Sequence, residues 1–359
     1  MFVSTPPPPP TARWSEQRAA NWYAPLPWLV GANFIPSNAI NPLEMLQADY
    51  FDPATIDREL GYAEALGMNT VRIFLHDLLW DDDPAGLRRR VDQLLALAAK
   101  HNIRPMLVLF DSCWDPTPRL GLPPLPRPGV HNSGWVQSPG KQKLHDPAAE
   151  PQLQAYVTGI VQSFAHDDRI LAWDVWNEPD NPGSDLPEDV PVKVARVDEL
   201  LPKVFAWARA AAPSQPLTSG VWIGDWSGSE HESSTARIQL DQSDIITFHN
   251  YGHAPEFEAS VHVLERYNRP ILCTEYMART LGSTFAEILP VAKRLRVAAL
   301  NWGFVAGKTQ TIFGWETGQH PFPESEPPMW FHDILRPDGT PYQPSEVELI
   351  RHLTGRESR

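Results

Sequence analysis

Short apolar runs alternate with longer amphipathic segments along almost the whole chain. The runs are rich in aromatic and β-favouring residues and end at Pro, Gly or Asp, which is typical of buried strands. Strands are predicted within residues 27–37, 68–76, 105–111, 170–180, 217–224, 244–251, 270–276 and 298–305. Strands that alternate with helices in this way, without an internal linker or repeat, predict a single-domain α/β fold, the parallel (β/α)8 TIM barrel.

The segments between these runs carry apolar residues at helical spacing. A first helix at 14–23 is expected to close the bottom of the barrel, and one helix is expected to be broken or bent near Pro290. The weakest helical pattern lies at 233–240. Predicted helices follow at 56–66, 87–101, 151–164, 198–212, 257–267, 285–295 and 346–353, and two long loops at 112–146 and 306–344. Loops of this length inside a compact domain usually have a function.

Composition narrows the class of partner. The 359 residues are 42% apolar and 21% charged, as in ordinary globular proteins. A net charge of −14 argues against a nucleic-acid or anionic-membrane partner. The two cysteines, Cys113 and Cys273, form no disulfide framework and have no metal-type spacing. No metal or organic cofactor is expected, and the oligomeric state stays open.

The first residues predict a tail rather than a targeting segment. Pro6 to Pro10 indicate a stiff, exposed polyproline stretch, so residues 1–13 are assigned to a flexible tail and 14–359 to the catalytic barrel. The start of the chain lacks a basic region followed by an apolar region, and no apolar run is long enough to cross a bilayer. A cytoplasmic location is the expectation, and a secreted or periplasmic one stays open.

Two carboxyl groups stand at predicted strand ends. Asn177 and Glu178 end the fourth strand, which stops at Pro179, and Glu275 ends the seventh. Alternation on that strand predicts that Glu275 faces the barrel interior together with Cys273 and Ile271. Chemistry in such barrels is done at the carboxyl ends of the strands. Two carboxylates about three βα units apart can face each other across the rim, as glycoside hydrolysis requires.

Other polar residues share this rim. On the second strand, Arg72 is predicted to face the same side as Phe74. On the sixth strand, His249 and Tyr251 are predicted to face the same side as each other. A single buried Arg or His is more often structural, but several that converge with two glutamates indicate a catalytic site.

The motifs W-N-E-P, H-N-Y and T-E-Y resemble those of clan A glycoside hydrolases, most closely family 5 and its cellulase- or xylanase-labelled relatives. The resemblance spans the barrel from Trp28 to the last helix. It implies a retaining enzyme with Glu178 as the acid/base and Glu275 as the nucleophile, their carboxyl groups about 5–5.5 Å apart.

The resemblance also implies supporting roles around this pair. Asn177 would bind the sugar 2-hydroxyl, Arg72 and Tyr251 would hold Glu275 ionised, and His249 would lie beside Glu178.

Candidate sugar contacts are less specific. The family usually presents a tryptophan at the end of the eighth strand, whereas Trp302 is predicted to lie inside that strand. Trp302 would serve as the floor of the sugar subsite, or be replaced by Lys308, Gln310 or Trp315. Further candidates follow the second and third strands, namely His76, Asp77, Asp111 and Trp114.

Alternative functions remain at this point. A metal-dependent barrel hydrolase would need metal ligands such as His-x-His on the first strand, which contains Asn33 and no histidine. A carbohydrate-binding barrel with a dead site would lack one carboxylate, yet both are present. The expected substrate is a β-linked oligo- or polysaccharide. The long loops favour a pocket and exo action, while an endo-acting mannanase, xylanase or glucanase stays open, as does the identity of the sugar.

Overall fold

The structure is a computed structural model that describes residues 12–356. Most of the predicted proline-rich tail, residues 1–11, lies outside the described residues. The strands are β1 (Val30–Asn33), β2 (Thr70–Phe74), β3 (Arg104–Val108), β4 (Ala172–Asp174), β5 (Leu217–Thr218), β6 (Ile246–His249), β7 (Ile271–Glu275) and β8 (Ala298–Asn301).

All eight strands lie parallel in one sheet, in the order β5-β4-β3-β2-β1-β8-β7-β6. The remaining gap between β5 and β6 is bridged by a parallel pairing of Val221 with Phe248. This confirms the predicted (β/α)8 barrel. The strands are shorter than predicted because the chain leaves the ladder at each rim.

The helices are α1 (Glu16–Tyr23), α2 (Pro42–Leu46), α3 (Pro53–Ala65), α4 (Asp77–Asp82), α5 (Pro84–Lys100), α6 (Lys141–His145), α7 (Glu150–Ser163), α8 (Val190–Ala210), α9 (Ser234–Gln242), α10 (Ala254–Leu264), α11 (Phe285–Leu295) and α12 (Pro344–Thr354). The weak pattern at 233–240 is a helix, and α11 runs through Pro290 without a break. Among the described residues, no helix is long and apolar enough to span a membrane.

The bottom of the barrel is closed by α1, as expected. Trp14, just before this helix, packs with Leu29, Met106 and Leu272 in a small apolar cluster. A much larger cluster fills the space between the sheet and the outer helices, and it contains Cys273. Leu272 therefore points into the barrel and Cys273 points to the helices.

A β-bulge corrects the predicted alternation on β7. Phe248 pairs with Cys273, but the next residue of β6, His249, pairs with Glu275, so Thr274 is an extra residue in the strand. The predicted inward orientation of Cys273 is wrong. The inserted residue reverses the alternation, and Glu275 faces the interior for this reason.

Candidate active site

A cavity of about 890 Å³ opens at the carboxyl ends of the strands. This is the end at which barrel enzymes carry their chemistry. Its lining brings together most of the predicted site residues, namely Trp114, Asn177, Glu178, His249, Tyr251, Glu275, Trp302 and Trp315.

Glu178 lies four residues beyond the end of β4 with a left-handed backbone, φ 40°. Such a backbone is strained for a residue with a Cβ and interrupts strand alternation. Because of it, both Asn177 and Glu178 line the cavity. The carboxylate of Glu178 shares a 2.6 Å hydrogen bond with Nδ1 of His249 and accepts one of 2.6 Å from Asn181. Cys113 donates a longer one, 3.4 Å, to Oε2.

Glu275 is held at both carboxylate oxygens. Arg72 donates to Oε1 at 2.8 Å, and the hydroxyl of Tyr251 donates to Oε2 at 2.8 Å. Both donors favour the ionised form of the carboxyl. Charge-assisted contacts of this kind also fix its orientation.

Arg72 ties four strands to the site. Its guanidinium also donates to Asp174 on β4, to Asn177 just beyond β4, and to Asn33 on β1. Burial would lower the pKa of Arg72, but the carboxylates of Asp174 and Glu275 raise it above its ordinary value. The guanidinium therefore stays charged although it is fully buried.

The two glutamates lie close together. One oxygen of Glu178, one oxygen of Glu275 and a ring nitrogen of His249 all lie within 4.8 Å of one another. Inverting glycosidases keep their carboxyl groups about 6.5–9.5 Å apart to admit a water, whereas retaining ones need only about 5–5.5 Å. The spacing here is the short one.

Burial dominates the electrostatics of the pair. It raises the pKa of Glu178 to about 7, and it lowers the pKa of His249 to about 4, so this imidazole is neutral at neutral pH. Burial also raises the pKa of Glu275 above its ordinary value, although Arg72 and Tyr251 act in the opposite direction. The neighbouring cation thus acts on this pKa in the expected direction, but burial outweighs it.

Asn177 is oriented from two sides. Its side-chain oxygen accepts from Arg72 at 2.7 Å, and its side-chain nitrogen donates to Asp111 at 2.9 Å. Asp111 also accepts from the indole of Trp135 and is buried. The structure places Asp111, a candidate sugar contact, behind Asn177 and outside the cavity lining. It positions Asn177 instead.

His76 is also displaced from its expected role. It caps the start of α4, accepting from the backbone N–H of Leu78, and its Nε2 donates to the carbonyl of Gln137. It is fully buried and outside the cavity lining, as is its neighbour Asp77, which pairs with Lys143. The long loop after β3 covers both residues, which their position after β2 alone did not reveal.

The aromatic candidates do reach the cavity. Because β8 ends at Asn301, Trp302 stands at the strand tip rather than inside the strand. It packs edge-to-face on Phe74 and Trp135. Trp114 and Trp315 line the cavity from the two long loops, whereas Lys308 and Gln310 do not line it.

Several site residues escaped the sequence reasoning. Asp174, Asn33 and Asn181 hold the side chains around the two glutamates together, and Cys113 lies beside Glu178. Asp174 lies two residues after Ala172, which packs inside the barrel. Strand alternation therefore predicts that Asp174 also points inward. The others lie at strand or loop ends, where alternation carries no information.

The three clustered side chains Glu178, His249 and Glu275 have a spacing that a divalent cation could use. Both oxygens of Glu275 already accept hydrogen bonds, and the guanidinium of Arg72 would repel a second cation. The donor set therefore suits proton transfer and nucleophilic attack better than metal binding.

Loops from one half of the barrel join into a wall on one side of the cavity; we call residues 112–146 and 306–344 together the loop wall. Within it, Asn132 donates its backbone N–H to Thr309 at 2.8 Å, and Phe322 donates to Gly129 at 2.9 Å. The loop after β1 joins it, since Asn41 donates to the carbonyl of Gly134.

A family model described as Cellulase (glycosyl hydrolase family 5) matches residues 40–302. A comparison with curated proteins found no match. Among solved structures, an exo-β-1,4-mannosidase from Opitutaceae bacterium strain TAV5 is 23% identical, with a TM-score of 0.59. The match covers 91% of this chain and 60% of the mannosidase chain. An endo-1,4-β-D-mannanase from Thermotoga petrophila is 15% identical, with a TM-score of 0.56. The match covers 91% of this chain and 99% of the mannanase chain. The chain thus spans less than two thirds of the exo-mannosidase.

Proposed function

This chain belongs to glycosyl hydrolase family 5, and we propose that it removes single sugars from the ends of β-glycosides as an exo-acting enzyme. The family assignment supports a retaining O-glycoside hydrolase with a carbohydrate substrate. The exo action and the catalytic roles below are the proposal. The observation that carries the exo action is the loop wall, which bounds one side of the cavity.

In the first step, Glu178 protonates the glycosidic oxygen while a carboxylate oxygen of Glu275 attacks the anomeric carbon. The bond to the leaving alcohol breaks and a glycosyl ester to Glu275 forms. In the second step, Glu178 takes a proton from water, which attacks the anomeric carbon and releases Glu275. Two inversions retain the anomeric configuration.

The contacts around each carboxyl support this division of roles. Arg72 and Tyr251 both stabilise an ionised Glu275, whereas Glu178 faces a neutral His249 and the amide of Asn181. The proton of the pair therefore belongs on Glu178, as a general acid requires. Asn177, fixed by Arg72 and Asp111, is the proposed partner of the sugar 2-hydroxyl.

The orientation of the substrate in the cavity follows from these roles of the two glutamates. The leaving group lies on the side of the acid, toward the loops after β4 to β6. The sugar that is transferred lies on the other side, against Trp302 and the loop wall. A wall at this position would limit the space beyond the transferred sugar, which supports action at chain ends.

The sugar itself is proposed from the names of the structural neighbours, an exo-mannosidase and an endo-mannanase. β-Mannosides are therefore the first substrates to assay. An endo-acting β-glycanase is the second candidate, supported by a cavity large enough for more than one ring.

The test is a panel of 4-nitrophenyl β-glycosides, followed by β-linked oligosaccharides of the best sugar. Exo action is expected to release monosaccharide from the first minutes, with each oligomer shortened by one unit. Early release of mixed longer products would contradict it. Proton NMR of the first product should show the β-anomer, and an α-anomer would contradict the retaining mechanism.

A further inference from the structure

The side of the cavity opposite the loop wall combines a few polar residues with a group of apolar ones; we call Trp222, Ile223, Trp226, Ala259, Val263 and Leu281 the apolar rim. These residues come from the loops after β5 and β7 and from α10, and all line the same cavity as the two glutamates. Ile223 is 55% exposed and Leu281 is 46% exposed. Large apolar side chains that are exposed together around a site usually mark where a ligand binds.

The polar groups within this part of the cavity already have partners in the protein. Asn250 donates to the hydroxyl of Ser260 and accepts from the backbone N–H of Gly252, and Ser260 donates to the carbonyl of Glu256. Each of these side-chain groups therefore already has a protein partner, which leaves fewer of them for a sugar hydroxyl.

The two indoles of the apolar rim are engaged in the same way. Trp222 donates to Asp180 at 2.6 Å, and Trp226 donates to the carbonyl of Ile223 at 3.0 Å. Asn181 donates to Glu178 and accepts from the N–H of Gly183. A sugar bound here would therefore replace only part of its hydrogen bonds to water, which costs free energy.

We propose that this side binds the leaving group as an apolar alcohol, so that the preferred substrates are β-glycosides of alkyl or aryl alcohols rather than oligosaccharides. This inference rests on the proposed function, which places the leaving group on the side of Glu178. The aliphatic members Ile223, Val263 and Leu281 distinguish the rim from a purely aromatic sugar platform, because they offer area without a flat stacking face.

The first experiment keeps the sugar constant and lengthens the alcohol. With methyl, butyl, hexyl and octyl β-glycosides of the preferred sugar, kcat/KM is expected to rise about two- to fourfold per methylene until the apolar rim is covered. The matching β-linked disaccharide is expected to react more slowly than the octyl glycoside. A flat alkyl series, or a disaccharide that outperforms the octyl glycoside tenfold, would overturn the inference.

The second experiment changes the surface. The double variant Ile223→Gln with Leu281→Gln is expected to lower the octyl-to-methyl ratio of kcat/KM about tenfold, and folding is not at risk because both side chains are largely exposed. Leu186→Gln is the matched control: it is 60% exposed and outside the cavity lining, so its ratio should equal that of the original protein. An unchanged ratio in the double variant would also overturn the inference.

A small leaving group separates this inference from the proposed function. A β-glycosyl fluoride needs neither the apolar rim nor strong acid assistance. If no β-glycosyl fluoride of the sugars in the 4-nitrophenyl panel is hydrolysed, the proposed function fails. If the fluoride is hydrolysed and the alkyl series is flat, only the inference about the leaving group fails.

Discussion

In the proposed mechanism Glu178 must carry a proton and Glu275 must be ionised, although one oxygen of each carboxyl group lies within 4.8 Å of the other. Burial disfavours charge on both, and only Glu275 has a fixed cation and a phenol at its oxygens. A neutral imidazole beside Glu178 compensates no negative charge there. This asymmetry, rather than the two glutamates as such, divides the roles.

Substituting each glutamate should separate the two roles. Glu178→Gln is expected to lower kcat/KM about 10²- to 10⁴-fold for alkyl glycosides, and far less for a glycosyl fluoride, which needs little protonation. Glu275→Gln should abolish turnover of both, because no nucleophile remains. Steady-state rates on the two substrates are the measurement, and equal losses for both substrates in Glu178→Gln would contradict its assignment as acid.

The pH profile should report the same pair. Glu178 must be protonated, and its pKa is raised to about 7 by burial, so kcat/KM should fall as the pH rises through about 7. Glu275 must be ionised, and burial raises its pKa above the ordinary value, so kcat/KM should also fall at low pH. The profile of kcat/KM with an alkyl glycoside tests this. An alkaline limb that stays flat to pH 9 would refute the assignment of Glu178.

Tyr251 should set the position of the acidic limb. Tyr251→Phe removes the hydrogen bond that favours the ionised form of Glu275, so the pKa of that carboxyl rises and the acidic limb should move to higher pH. The alkaline limb should keep its position, which distinguishes this effect from a general loss of structure. A profile with the same shape and lower amplitude would mean that Tyr251 only packs.

At the scale of elements, three loops and one bulge make the site. The bulge at Thr274 turns Glu275 inward, the loops after β3 and β8 form the loop wall, and the loop after β1 contacts it. The loop after β3 also buries His76 and Asp77 beneath it. The contacts that form the loop wall lie outside the regular helices and strands.

The loop wall depends on a close approach at Gly129. Its backbone is left-handed, φ 68°, and an added Cβ would lie 2.0 Å from the carbonyl oxygen of Phe322. Gly129→Ala should push the two loops apart, speeding limited proteolysis within 112–146 and 306–344 and lowering the rate of monosaccharide release about tenfold.

The matched control for this change is Gly121→Ala. Gly121 lies in the same loop with φ 101°, but an added Cβ would meet no atom within 4 Å. It reproduces the backbone strain without the clash. If both variants behave alike, strain within the loop after β3, rather than contact across the loop wall, explains the effect.

At the scale of the whole molecule, the bottom of the barrel is joined by Asp244, which lies just before β6. It accepts from the backbone N–H of Trp14 and of Leu217 and from the guanidinium of Arg209, each at 2.8 Å. The start of the described chain, α8 and β5 therefore meet at one buried carboxylate.

Asp244→Ala should destabilise the entire barrel. It leaves the charge of Arg209 buried without its partner, and we expect the free energy of unfolding to fall by about 3–5 kcal/mol. Urea denaturation followed by circular dichroism measures this loss. Asp338→Ala, in an exposed turn, is the control and should change stability little. Equal free energies of unfolding for the two variants would contradict the proposal that Asp244 stabilises the barrel.

The alternation of apolar runs and amphipathic segments was enough to predict the barrel, because eight βα units pack in few ways. It was also enough to bring Arg72, Asn177, Glu178, His249, Tyr251 and Glu275 to one rim, since parallel strands end at the same edge. These predictions need only chain order and local pattern.

Only the tertiary structure decided the rest. The bulge that places Glu275 depends on pairing with β6, and the loops that bury His76 and Asp111 pack through contacts between residues far apart in the chain. The net pKa shifts depend on burial, which no single strand determines. Local sequence encodes periodicity and order, whereas register between strands, loop packing and desolvation arise from contacts that form only when the whole barrel is assembled.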